Sequence, residues 1–203
     1  MGSTITTLLC LSIGLVSYLC FQNRDLFNKL EFNAHSVVHK KEYYRLFTHG
    51  WVHGDWNHLL INLFVLYAFG TNTEAFFTYN FPQWGRIYYL ILILLALPIS
   101  STYDLIKYKD QPYYNAVGAS GAVSAIVFCS IFLDPWGKIY LFMILPIPGL
   151  LFGAGYLYYS YYMAKQNRDN IGHYAHFFGA VFGFFYPLLI NYKVFFQYFI
   201  DKL

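Results

Sequence analysis

The sequence predicts an all-α, polytopic membrane protein: a bundle of six transmembrane helices with a long membrane-associated first loop. Three observations predict it. Of 203 residues, 58% are hydrophobic and only 11% are charged. Mean hydropathy is +0.40, and nearly charge-free runs recur along the chain, long enough to cross about 30 Å of hydrocarbon. Periodicity argues against a β-barrel. Barrel strands alternate apolar and polar residues over about 10 positions, whereas Tyr88 to Ile99 is apolar on every side.

The spans fall at roughly 5–21, 58–77, 86–101, 118–133, 137–162 and 173–192. The first has no Lys or Arg in its opening residues and no small-residue cleavage site after Cys20, so it reads as a retained helix and not a secretory signal. The second carries His58, Asn62, Gly70 and Glu74 inside an otherwise apolar run. The fourth opens on Gly118-Ala119-Ser120-Gly121, and the sixth contains Ala175-His176, Gly179 and Gly183. The connection from Gln22 to Asn57 holds Phe47, Trp51, Trp56 and four of the seven histidines. So aromatic a segment is expected in the membrane interface, where Trp and Tyr are favoured. No other segment is large enough for a second unit, so residues 1–203 read as a single membrane domain.

The formal net charge of +3 is modest and scattered, which gives no basic face for nucleic acid. Arg24, Lys29, Lys40, Lys41 and Arg45 in the first connection vote for a cytoplasmic location of that loop, but a membrane-embedded loop is a poor case for that rule. Cys10, Cys20 and Cys129 lie in apolar segments without metal-ligand spacing and read as small buried hydrophobes.

Ser120 is the first candidate for chemistry. A lone serine in a membrane helix usually packs or bonds back to the preceding turn. Here Gly118 permits a sharp entry, Gly121 keeps the surface open, and first-turn amides point toward an anion forming beside the hydroxyl. His176 is the candidate base. Its imidazole is a structural group, a metal ligand or a proton acceptor with an unperturbed pKa of about 6.5. Gly179 and Gly183, three and seven positions on, share its face, while Gly121, Ala125 and Cys129 repeat every four residues on the other helix. Two such small-residue faces let backbones approach closely and bring His176 toward Ser120. His58 and Asn62, four apart, share one face and read either as inter-helix glue or as donors to an oxyanion.

A metal-dependent membrane hydrolase or oxygenase is the rival suggested by His49, His53, His58, His173 and His176. Scarce intramembrane acidic ligands and the lack of an HExxH sequence argue against it, and no metal or other cofactor is expected.

Taken together, these motifs resemble the rhomboid intramembrane serine proteases across nearly the whole chain. Tyr44-Arg45 is similar to the family's Trp-Arg pair, His58 to Asn62 to its HxxxN, and Gly70 with Glu74 to its GxxxE. Gly118 to Gly121 matches GxSG, and Ala175-His176 with Gly179 and Gly183 matches AHxxGxxxG. The resemblance implies a Ser120–His176 dyad cleaving transmembrane segments. It also implies an oxyanion hole from the Ala119 and Ser120 amides with the His58 and Asn62 side chains, and structural roles for Arg45 and Glu74. Two positions depart from the pattern. Tyr44 replaces the usual Trp, and Ser124 stands where many members carry an aromatic ring that stacks on the catalytic histidine, so the orientation of His176 must come from elsewhere. The implied partners are single-span membrane proteins and the lipid bilayer. A non-catalytic relative that captures helices without cutting them is the alternative. The compact six-span form without a transit peptide suggests a bacterial plasma membrane.

Overall fold

The structure, a computed structural model, describes residues 4–141, 143–166 and 171–203. It is mainly helical. Helix α1 (Thr4–Gln22) is followed by α2 (Arg24–Leu30), α3 (Ala34–His39), α4 (Arg45–Thr48) and a 3-10 turn at His49–Trp51. The long α5 (Trp56–Asn80) and α6 (Gly85–Ser100) lead through α7 (Thr102–Tyr108) to α8 (Ser120–Leu133). Helices α9 (Gly149–Gln166), α10 (His173–Ile190) and α11 (Tyr192–Lys202) complete the chain. Two short antiparallel ladders accompany them: β1 (Phe32–Asn33) with β2 (Asn115–Ala116), and β3 (Lys138–Leu141) with β4 (Leu145–Pro148).

Among the described residues, four helical stretches are long and apolar enough to cross a membrane: Thr4–Gln22, Trp56–Asn80, Gly85–Tyr108 and His173–Ile190. Their outer faces show why a bilayer is needed. Leu8, Leu11 and Leu15 on α1, Leu60, Ile61 and Phe64 on α5, and Leu189 on α10 all stand exposed. So much contiguous apolar surface is stable only against lipid, where helices satisfy every backbone polar group internally. Helix α8 is different. It spans only 14 residues, of which all but Ser120 and Ser130 are buried, because α5, α6 and α10 pack around it. A short central helix places its N-terminus, and therefore Ser120, inside the bundle and not at its rim.

The first connection is not a featureless loop. Residues 23–55 include short helices, two of which start at side-chain caps: Asn23 accepts from the Leu26 amide to begin α2, and Asn33 accepts from the Ser36 amide at 2.7 Å to begin α3. Arg45 Nη1 donates to the carbonyls of Asn28 and Glu31, 2.8 Å each, at the C-terminal end of α2, where a cation is favoured.

The fifth expected span is corrected at its start. Of the stretch placed at 137–162, residues 138–141 and 145–148 form a hairpin, residue 142 lies outside the described residues, and the helix begins only at Gly149. The reason lies in Pro146 and Pro148, which lack an amide donor and hold the preceding residues extended. Apolarity alone does not separate such a strand from a buried helix. The sixth span also ends earlier, at Ile190, where Asn191 accepts from the Val194 amide and starts α11 in a new direction.

Candidate active site

Helices α8 and α10 approach backbone to backbone at two glycines of α10. A Cβ built on Gly179 would fall on the Gly121 carbonyl, and one on Gly183 would fall on the Ala125 carbonyl. This contact carries His176, three residues before Gly179, to the N-terminus of α8. His176 Nε2 lies 2.8 Å from Ser120 Oγ, with both residues half-buried.

The turn that presents Ser120 requires a glycine. Gly118 has φ +118°, a conformation that L side chains rarely adopt, and a Cβ there would come within 2.6 Å of the His58 ring. His58 therefore covers the turn before Ser120 from α5. Its own position is set by Asp55, whose carboxylate accepts from the His58 amide at 2.9 Å and caps α5. Asn62, one turn on, is buried and donates from Nδ2 to the His58 carbonyl at 2.9 Å, so one of its two N–H groups is spent within the helix.

Two histidines of the first connection hold the same turn. The Gly118 amide donates to the His49 carbonyl at 3.0 Å, and the Ala119 amide donates to His53 Nε2 at 3.4 Å. The Ala119 amide, expected in an oxyanion hole, is directed at His53 in this structure. The amides of Ser120 and Gly121 belong to the first turn of α8, whose N–H groups have no partner within the helix. His53 in turn faces Ser17 Oγ on α1 through Nδ1 at 2.9 Å, and Ser17 donates to the Trp51 carbonyl at 2.8 Å. Burial pushes His53 down to about 3 and His49 down to about 4, so both rings are neutral near pH 7. A neutral ring is what lets His53 Nε2 accept the hydrogen bond from the Ala119 amide.

Sequence reasoning weighed His49 and His53 only as metal ligands. Among the described residues no three His, Cys, Asp or Glu side chains gather as a metal would require. Arg45 and Glu74 stand apart from Ser120: Arg45 ties α2 to α4, and Glu74 caps α1.

With the geometry in view, similarity to known proteins can be weighed. Residues 40–193 match the Rhomboid domain family, a stretch that includes every motif residue named above. The chain belongs to the rhomboid family. As a rhomboid it is also 30% identical over 143 residues to RHOMBOID-like protein 12, mitochondrial, of Arabidopsis thaliana. That likeness covers 66% of this chain and 43% of the relative, so this rhomboid spans less than half the length of the relative it matches.

One further contact of this rhomboid site was hidden from the sequence. Tyr156 of α9 stacks on the His176 ring, with centroids 6.4 Å apart and planes 29° apart. Ser124 signalled that a ring was missing from α8, but nothing distinguished Tyr156 among 21 tyrosines.

Proposed function

We propose that this chain is an intramembrane serine endopeptidase that cuts transmembrane segments of other membrane proteins through a Ser120–His176 dyad. The observation that carries the reading is the 2.8 Å separation of Ser120 Oγ and His176 Nε2 at the first turn of a buried helix. Family membership supports it.

In this reading Ser120 Oγ attacks the scissile carbonyl carbon while His176 Nε2 takes its proton, which requires the neutral imidazole with its proton on Nδ1. The carbonyl oxygen becomes an anion beside the Ser120 amide, with His58 and Asn62 as side-chain donors. His176 then passes its proton to the leaving amine, the C–N bond breaks, and an acyl-serine remains. Water attacks that ester with His176 again accepting a proton, and Ser120 is regenerated. The protein needs an extended peptide for this, so substrates are single-span proteins whose helix is weakened by Gly or Ala near one end, with a small residue before the cut.

Helices α1, α5, α6, α8, α9 and α10 are proposed as six crossings of one membrane domain over residues 1–203, with the 23–55 segment in the interface. A bacterial plasma membrane gains nothing from the plant relative, which is named mitochondrial, so the membrane is left unspecified.

The test is cleavage of a single-span substrate in liposomes by wild type and Ser120→Ala, with and without a chelator. Cleavage lost in the variant and indifferent to chelator is the expected result. Cleavage that survives the substitution removes Ser120 as nucleophile, and chelator-sensitive cleavage favours the metal reading. The absence of cleavage by wild type favours a helix-binding protein.

A further inference from the structure

Position 124 lies one helical turn after Ser120 and on its face of α8. Its side chain is a hydroxyl, 6% exposed, in a helix otherwise built from apolar and small residues. A buried hydroxyl needs a partner, and so does a buried tyrosine. Ser124 Oγ and Tyr156 Oη meet at 2.7 Å, joining α8 to α9.

That bond accounts for the two hydroxyls but not for the ring. Tyr156 is also flanked by Phe128 of α8 at 5.5 Å and by Phe152, one turn earlier on α9, at 5.9 Å. Held by these two rings and tethered at its tip, the phenol has little freedom to turn. It lies nearly parallel to His176 at a centroid separation within the range of offset stacking. A fixed ring against the face of His176 limits how far the imidazole can turn about its side-chain bonds.

We propose that Tyr156 is the positioning residue that sets the ring plane of His176, with Ser124 anchoring it. The pair moves the supporting ring from α8, where the resemblance leads one to expect it, to α9. This inference rests on the reading of Ser120 and His176 as the catalytic dyad.

The test compares wild type with Ser124→Ala, Tyr156→Phe, the double variant and Tyr156→Leu in liposomes. It measures kcat and KM on a single-span substrate, labelling of Ser120 by a fluorophosphonate, and thermal unfolding. Tyr156→Leu is expected to lower kcat about 10- to 100-fold with KM changed less than about twofold, because misplacing the base affects the chemical step and not binding. Ser124→Ala and Tyr156→Phe are each expected to lower kcat about two- to fivefold, and the double variant no further, since both cut the same tether. Wild-type kcat in Tyr156→Leu overturns the inference, and so does a loss expressed only in KM. If Tyr156→Leu fails to fold, the two tether variants decide, and unchanged kcat in both overturns it. A wild type that cuts and labels while all variants match it sinks only this inference. A wild type that neither cuts nor labels sinks the protease reading and the inference with it.

Discussion

The Glu74 carboxylate on α5 accepts the Thr6 amide at 2.8 Å, so a buried acid of one membrane helix caps the N-terminus of another, 68 residues away. Its second oxygen takes the Ile5 amide at 2.9 Å, and the Thr6 hydroxyl bridges the same carboxylate to Tyr89 Oη at 2.8 Å. Gly70, one turn before Glu74, leaves the room: a Cβ there would come 2.9 Å from Thr6 Cγ2. Two of the first-turn amides of α1 thereby find an acceptor, and the carboxyl group sits at the positive end of the helix dipole.

Glu74→Gln replaces one acceptor oxygen with an amide donor facing backbone N–H groups. The expected cost is about 2 kcal/mol, seen as a fall of about 4–8 °C in Tm in detergent. An unchanged Tm would mean that the cap contributes nothing.

Gly179 has backbone, not a flexible side chain, against it. Gly179→Val must push α10 away from α8, so it is expected to lower thermal stability by at least about 3 kcal/mol, the upper end of ordinary overpacking. Cleavage should fall with it, because the same contact sets the Ser120–His176 distance. Wild-type melting of the purified variant would remove the helix contact from the account.

Asn62→Ala should lower kcat by about tenfold or more, in line with loss of one oxyanion donor, with little change in Tm. Cleavage kinetics at saturating substrate measure the first and thermal unfolding the second. Turnover equal to wild type would leave Asn62 as a purely structural group bonded to the His58 carbonyl.

His49 and His53 make stability depend on pH. Burial holds their folded values at about 4 and about 3, below the ordinary 6.5, so the unfolded chain binds more protons as pH falls. The stability they support is fully present above pH 6.5 and is lost as pH falls through the window toward 4 and then 3, at up to about 1.4 kcal/mol per pH unit for each ring. Tm measured from pH 8 to pH 4 should drop below 6.5 in wild type and drop less steeply in His53→Gln. Equal slopes in the two proteins would show that His53 takes no part.

The sequence determined the solvent, the existence of long apolar helices and the serine and histidine, Ser120 and His176, that the fold brings within 2.8 Å. Hydrophobic run length and the glycine spacing of 121, 179 and 183 are local properties, and they translate directly into membrane helices that pack closely. It did not determine the hairpin at 138–148, where proline geometry outweighed apolarity. The tertiary structure alone decided which groups serve the Ser120 turn. His53 reaches the Ala119 amide across 66 residues, and Tyr156 reaches Ser124 across 32. Such partners are chosen by the angle and depth at which helices dock, and no periodicity along one helix records how its neighbour is turned.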